Sequence, residues 1–255
     1  MIKIQQFMKN NILELYAAIQ SEGSRAGLPT IVIRVSGCTH RCFFGKGGWC
    51  DSWYTSIHPE KAIYNIEDVK EMYKKYPKIK EMMITGGSPT MFPLLLEELT
   101  QFAKSKGIIT TIETEGSHFI ATEHPIDLVS LSPKFSNSIP KLGELTPLGK
   151  VVDEKFINQH NRFRMNLDVM RKMLDYHKDY HFKPVWDGSD ETWLEIMKFK
   201  LDMDIPNNKT WIMPAGDTRE ELIYMYPKVM EKCIEWGLNF TGREHIIAYD
   251  TKREV

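Results

Sequence analysis

Short β-branched runs and longer amphipathic stretches alternate along this chain. Thr30 to Val35 (TIVIRV) predicts the first clear strand, its β-branched residues suiting a pleated, buried surface. Asn65 offers an N-cap, with Glu67 and Asp68 in the first turn of a helix ending near Tyr76–Pro77. A strand at Glu81 to Ile84 stops at Gly86–Gly87. Pro93 opens the next helix and Gly107 closes it. Strands at Ile108 to Glu113 and Leu128 to Leu131 follow, then an irregular stretch from Phe135 to His160. The remainder predicts a helix at Arg162–His177, a strand at Tyr180–Val185 and a helix at Glu191–Leu201. A strand at Thr210–Met213, a helix at Thr218–Trp236 stopped by Gly237, and a last strand at Glu244–Ala248 complete the pattern.

Strands separated by helices imply a parallel sheet, because parallel strands need crossover connections. The fold expected is α/β: a partial, TIM-like β/α barrel with outer helices, since the strands are too few for an eight-fold closure. With no repeat or linker, residues 1–255 are expected to form one domain, with a loop at 37–55 and carboxyl-terminal β/α segments over 161–255. In such folds the functional loops lie beyond the carboxyl ends of the strands. The cysteines after TIVIRV and the glycines after EMMIT both occupy such positions.

Composition narrows the class. The chain has 255 residues, 42% hydrophobic and 26% charged, as in an ordinary globular protein. Thirty-three basic residues nearly cancel 34 acidic ones, which argues against nucleic acid or an anionic membrane surface as partner. No apolar run approaches the roughly 18 residues of a membrane span. The opening MIKIQQFMKNNILELY lacks the features of a secretory signal, so a cytoplasmic location is expected.

Cys38, Cys42 and Cys50 fall within thirteen residues, whereas Cys233 sits alone in a helical pattern and reads as a small buried hydrophobe. In a reducing compartment, clustered cysteines indicate metal or redox chemistry. Thiolates suit zinc or an iron–sulfur cluster. Three thiolates can hold three irons of a four-iron cluster and leave one iron open, whereas structural zinc needs a fourth ligand. His40 lies between the first two cysteines and reads as that fourth ligand or as a plain loop residue. Spacing alone leaves the occupant open.

Further blocks follow in order: Thr85-Gly86-Gly87-Ser88-Pro89, Glu113-Thr114-Glu115-Gly116-Ser117 and Ser132-Pro133-Lys134, then Trp211-Ile-Met-Pro-Ala-Gly216 and Arg243-Glu-His245. With Ile19-Gln20-Ser21-Glu22-Gly23 and Trp49-Cys50-Asp51-Ser52, they resemble the radical S-adenosylmethionine superfamily, and within it the 7-carboxy-7-deazaguanine synthase family. Three departures stand out, the mildest being Ser52 for the Thr of Trp-Cys-Asp-Thr, which keeps the hydroxyl. The superfamily's usual cysteine spacing is three then two residues; here it is three then seven, with an excursion at Phe43–Gly47. Ser88 replaces the common Glu of Gly-Gly-Glu-Pro, which in relatives helps receive the methionyl amino group. Glu113-Thr114-Glu115-Gly116-Ser117 is similar to the family's Glu-Thr-Asn-Gly-Thr.

The resemblance implies a [4Fe–4S] cluster on Cys38, Cys42 and Cys50, with S-adenosylmethionine cleaved there to a 5′-deoxyadenosyl radical. It implies cofactor contacts from Trp49, Asp51, Gly86, Gly87, Ser88, Glu113, Ser132, Pro133 and Lys134, the two glycines letting backbone approach closely. It implies substrate contacts from Ile19, Gln20, Ser21, Glu22, Arg34 and Thr85, and Mg2+ at Ser52. Arg34 suits a carboxylate, and Glu22 an amino-pyrimidinone edge. The activity implied is a lyase turning 6-carboxy-5,6,7,8-tetrahydropterin into 7-carboxy-7-deazaguanine, toward queuosine. The implied partners are a flavodoxin- or ferredoxin-type electron donor and a second copy of the chain in a homodimer. Ser88→Glu is expected to bind cofactor at least as tightly. Two rivals share parts of this pattern: a glycyl-radical-enzyme activase and a zinc-stabilised interaction module.

Overall fold

A computed structural model describes residues 10–44 and 48–255. The opening MIKIQQFMKNNILELY therefore lies partly, and the tip of the Phe43–Gly47 excursion wholly, outside the described residues. Two ladders make up the sheet. In the first, β1 (Ile12–Ile19) runs antiparallel to β2 (Pro29–Val35), and β3 (Glu81–Gly86), β4 (Ile109–Thr114), β5 (Leu128–Leu131) and β6 (Tyr180–Phe182) follow, all parallel to β2. The second holds β7 (Val185–Trp186), β8 (Trp211–Pro214) and β9 (Asn239–Phe240), also parallel. A parallel bridge from Phe182 to Thr210 joins the two. The result is the expected open β/α barrel, with an antiparallel edge strand in front.

Helices cover the outside: α1 (Trp53–Ser56), α2 (Ile66–Lys75), α3 (Pro93–Lys106), α4 (Glu154–Phe163), α5 (Leu167–Tyr176), α6 (Asp190–Asp202), α7 (Arg219–Trp236) and α8 (Glu244–Tyr249). Caps fix their ends. Asn65 and Asp68 form a capping box on α2, and Thr218 with Glu221 does so on α7. Gly107 and Gly237 end α3 and α7 in the left-handed conformation. One apolar core runs between sheet and helices, through Ile31, Ile33, Ile84, Ile112, Leu131 and Phe182 to Leu96, Met170 and Ile196.

Several elements differ from the sequence pattern, the short α1 and β9 among them. β1 precedes the first predicted strand; its sequence ILELYAAI fits helical and extended periods alike, and pairing with β2 decides the outcome. The predicted helix over 162–177 is two, because Asn166 accepts from Val169 N and starts a new helix, α5. Its partner α4 begins inside the predicted irregular stretch, capped by Asp153. The strand over 180–185 breaks at Pro184, which has no N–H for a ladder. The predicted last strand over 244–248 is helix α8, whose final carbonyls Ile247 O and Ala248 O accept from Arg219.

Candidate functional site

The carboxyl ends of the parallel strands open onto a cavity of about 520 Å3. Most of its functional residues come from the last positions of a strand or the residues just beyond it. β2 delivers the cysteine loop, β3 Gly86–Gly87, β4 Glu113–Glu115, β5 Ser132–Lys134 and β6 Lys183. Asp187, Asp217 and Arg243 follow β7, β8 and β9. Of the residues expected to bind cofactor, substrate or metal, all line this cavity except Ser88 and Pro133. Lining is what the structure gives; it does not assign a ligand to any of them.

The thiols occupy one wall. Cys38, Cys42 and Cys50 are free, and Cys50 N donates to Cys42 O at 3.1 Å, which ties the second and third together. His40 N donates to Cys38 Sγ at 3.3 Å. The excursion closes on itself through Phe44 N to Gly48 O and a Phe43–Trp49 ring contact. Burial pushes all three thiols up, Cys50 to about 12, and neighbouring negative charges add to the effect. A bound metal reverses that balance by deprotonating its thiol ligands outright.

The donor set fits an iron–sulfur cluster: three soft ligands on one wall, a backbone N–H turned to a sulfur, and no further cysteine nearby. Cys233 is buried against the β9 backbone instead, its Sγ 3.4 Å from Asn239 O. Among the described residues no three His, Cys, Asp or Glu side chains are placed to hold a single metal ion. His40 is almost wholly buried, and its Nδ1 shares Thr39 Oγ1 at 2.8 Å.

Gly86 and Gly87 play a part that sequence alone did not suggest. A Cβ on Gly87 would lie 2.1 Å from Gly37 O, and one on Gly86 2.4 Å from Val35 N and O. The close approach these glycines permit is therefore to the chain's own backbone at the root of the cysteine loop. Gly37 O in turn accepts from Ser88 N at 2.8 Å, clamping the β3 loop to that root. Ser88 is fully buried and donates to Glu115, so a longer acidic side chain at 88 would meet a carboxylate already in place.

The opposite wall is a charge network. Lys183, 2% exposed, pairs with Glu22 and, at 2.8 Å, with Glu113. Arg243 donates to Glu22 at 3.1 Å, to Gly216 O at 2.6 Å and to Asp51. Desolvation raises the carboxyl groups of Glu22 and Asp51. The adjacent cations outweigh it, Lys183 and Arg243 for Glu22 and Arg243 for Asp51, and hold both groups well below the usual carboxylate range. Both oxygens of Glu22 are thus engaged. Glu113 differs: Ser130 donates to its Oε2 at 2.7 Å, while its Oε1 is buried without a partner. Sequence reading missed Lys183, which sits between Phe182 and Pro184 just beyond β6 and shows its role only through its partners.

Arg34 commits its Nε to Glu14 at 2.6 Å and its Nη1 to Ser52 Oγ at 3.1 Å. Ser52 also donates to Asp51 Oδ1 at 3.1 Å. The hydroxyl and carboxylate that would serve a magnesium ion therefore already face two guanidinium groups. Gln20 turns its amide toward Met83 Sδ and Ser21 N.

No protein-family model matches the chain. It is 31% identical over 248 residues to the 7-carboxy-7-deazaguanine synthase of Halobacterium salinarum, covering 96% of this chain and 92% of that protein. It is 29% identical over 242 residues to the 7-carboxy-7-deazaguanine synthase of Rhodopirellula baltica, covering 95% and 87%. The crystal structure of QueE from Escherichia coli superposes with a TM-score of 0.61 at 19% identity, over 91% of this chain and 93% of that one.

Proposed function

The chain belongs to the 7-carboxy-7-deazaguanine synthase family, and from that premise we propose that it converts 6-carboxy-5,6,7,8-tetrahydropterin to 7-carboxy-7-deazaguanine. The observation that carries the reading is the division of one cavity into a wall of three thiols and a facing wall of paired charges. The first suits a cluster that binds S-adenosylmethionine; the second suits a polar, carboxylated heterocycle.

When bound, a [4Fe–4S] cluster on Cys38, Cys42 and Cys50 with S-adenosylmethionine supplies one-electron chemistry that abstracts hydrogen and starts ring contraction with loss of ammonia. The chain supplies position and charge. Lys183, Arg243 and Arg34 set cations into the substrate end of the cavity, and a guanidinium can receive a carboxylate through two parallel hydrogen bonds. Glu113 Oε1, buried and free, is the acceptor for the amino-pyrimidinone edge. Glu22, whose oxygens are both taken, holds Lys183 and Arg243 in place. Ser132 and Lys134 serve the cofactor's sugar and carboxylate; Lys134 Nζ already donates to Ser132 O and Oγ at 2.8 and 3.0 Å.

Magnesium at Ser52 belongs to the same proposal. It would need substrate and water oxygens to complete its shell, as magnesium commonly does. The proposal also includes an electron donor of flavodoxin or ferredoxin type, a homodimer, a single domain and a cytoplasmic location. Among the described residues no helix is long and apolar enough to cross a membrane.

The test is turnover. Anaerobically reconstituted protein with reductant, S-adenosylmethionine and the carboxypterin is expected to release 7-carboxy-7-deazaguanine. Radical formation on a partner polypeptide, with no pterin consumed, would establish the activase instead.

A further inference from the structure

Two departures from the family pattern meet in space. Ser88, where the pattern it resembles has Glu, lies after β3; Glu115, where that pattern has Asn, lies after β4. Ser88 Oγ donates to Glu115 Oε1. Ser117 Oγ donates to the same oxygen, as does Thr39 Oγ1 at 3.2 Å. Three hydroxyls thus converge on Oε1, while Oε2 accepts no hydrogen bond among the described residues.

Glu115 is 5% exposed and lines the cavity beside Cys38. Among the described residues no lysine or arginine stands within ion-pair distance of it; the single nitrogen that does is His40 Nδ1, at 3.8 Å, beyond hydrogen-bond reach. A carboxylate so buried is costly unless a donor or cation meets it. The hydroxyl cage satisfies one oxygen and fixes the orientation of the other.

We propose that Glu115 receives the α-amino group of S-adenosylmethionine in this chain, the carboxylate having moved from the β3 loop to the end of β4. The assignment rests on the cofactor reading above. It explains both departures together: a serine at 88 leaves room for the carboxylate at 115 and donates to it. It also reverses the expectation for Ser88→Glu. That substitution places two carboxylates against each other in a buried space and weakens binding.

Equilibrium dialysis of S-adenosylmethionine against anaerobically reconstituted protein tests the assignment, with iron per chain measured in every sample. Glu115→Asn is expected to raise Kd about 10- to 100-fold at unchanged iron content, the range for losing a charge-assisted hydrogen bond. The double variant Ser88→Glu/Glu115→Asn restores the carboxylate at the other position, and its Kd should return to within about threefold of the parent. Equal Kd for the parent and Glu115→Asn, at equal iron, overturns the assignment and leaves the function intact. So does a double variant as weak as the single, because the carboxylate would then matter only to packing. A parent protein that binds no S-adenosylmethionine overturns the cofactor reading itself.

Discussion

The two walls of the cavity are built on opposite principles. The thiol wall comes from one loop of thirteen residues and carries neutral groups that burial makes hard to ionise. The charge wall joins residues up to 221 positions apart, and the cations facing Glu22 and Asp51 keep those two carboxylates ionised. The first wall is made for a ligand that brings its own positive charge. The second is complete within the chain, so its residues hold the barrel together as well as facing the substrate. Substitutions on the two walls should therefore fail in different ways.

The largest effect on activity is expected from Cys42→Ala. It should reduce turnover to background and lower iron per chain, while urea unfolding of the metal-free protein shifts little. Cys233→Ala should leave iron content and turnover near the parent's, because that thiol packs against Asn239 O away from the cavity. Iron loss in Cys233→Ala would erase the distinction between ligand and core cysteine.

On the charge wall, Lys183→Met should destabilise the fold by about 3–5 kcal/mol, since it leaves Glu22 and Glu113 buried without their shared cation. Replacing Glu113 by Gln as well should recover part of that loss. Urea unfolding measures both. A near-neutral Lys183→Met would mean that the wall contributes nothing to stability.

The smallest effect sharpens how that wall is supported. His181 bridges Ser24 Oγ at 2.9 Å and Ser130 Oγ at 2.7 Å, and Ser130 in turn holds Glu113. Burial lowers His181 to about 3, and burial lowers His177, whose Nδ1 accepts from Ile126 N, to about 4. Both lie below the unfolded value, so the unfolded chain binds more protons and stability is lost as pH falls below about 6.5. Each group adds a slope of up to about 1.4 kcal/mol per pH unit across that window. Unfolding free energies at pH 7 and pH 5 should differ accordingly, and His177→Gln should flatten the dependence by about one proton. No difference between the two pH values would contradict the neutral, bridging role.

The same contrast explains what the sequence revealed. The thiol wall was legible as a cluster because its three cysteines are close in the chain. Helix ends were legible where one residue decides them, as at Asn65, Gly107 and Gly237. Lys183, Glu115 and the Glu113 oxygen were not, because their meaning lies in partners from other strands. β1 was hidden for a related reason: its periodicity is ambiguous and its pairing with β2 is a long-range event. The helical fate of residues 244–249 was obscured by Ile246–Ile247, whose β-branched side chains suit a strand until Arg219 caps the turn. The glycines at the end of β3 were noticed, but their fit against the backbone of Val35 and Gly37 was not, since only the fold places those segments together.

Iron, sulfide and zinc counted per chain after anaerobic reconstitution test the central claim most directly, because every role above follows from what the three thiols hold. About four irons with about four sulfides and no stoichiometric zinc are expected. One zinc per chain, with neither iron nor sulfide retained, would contradict the account.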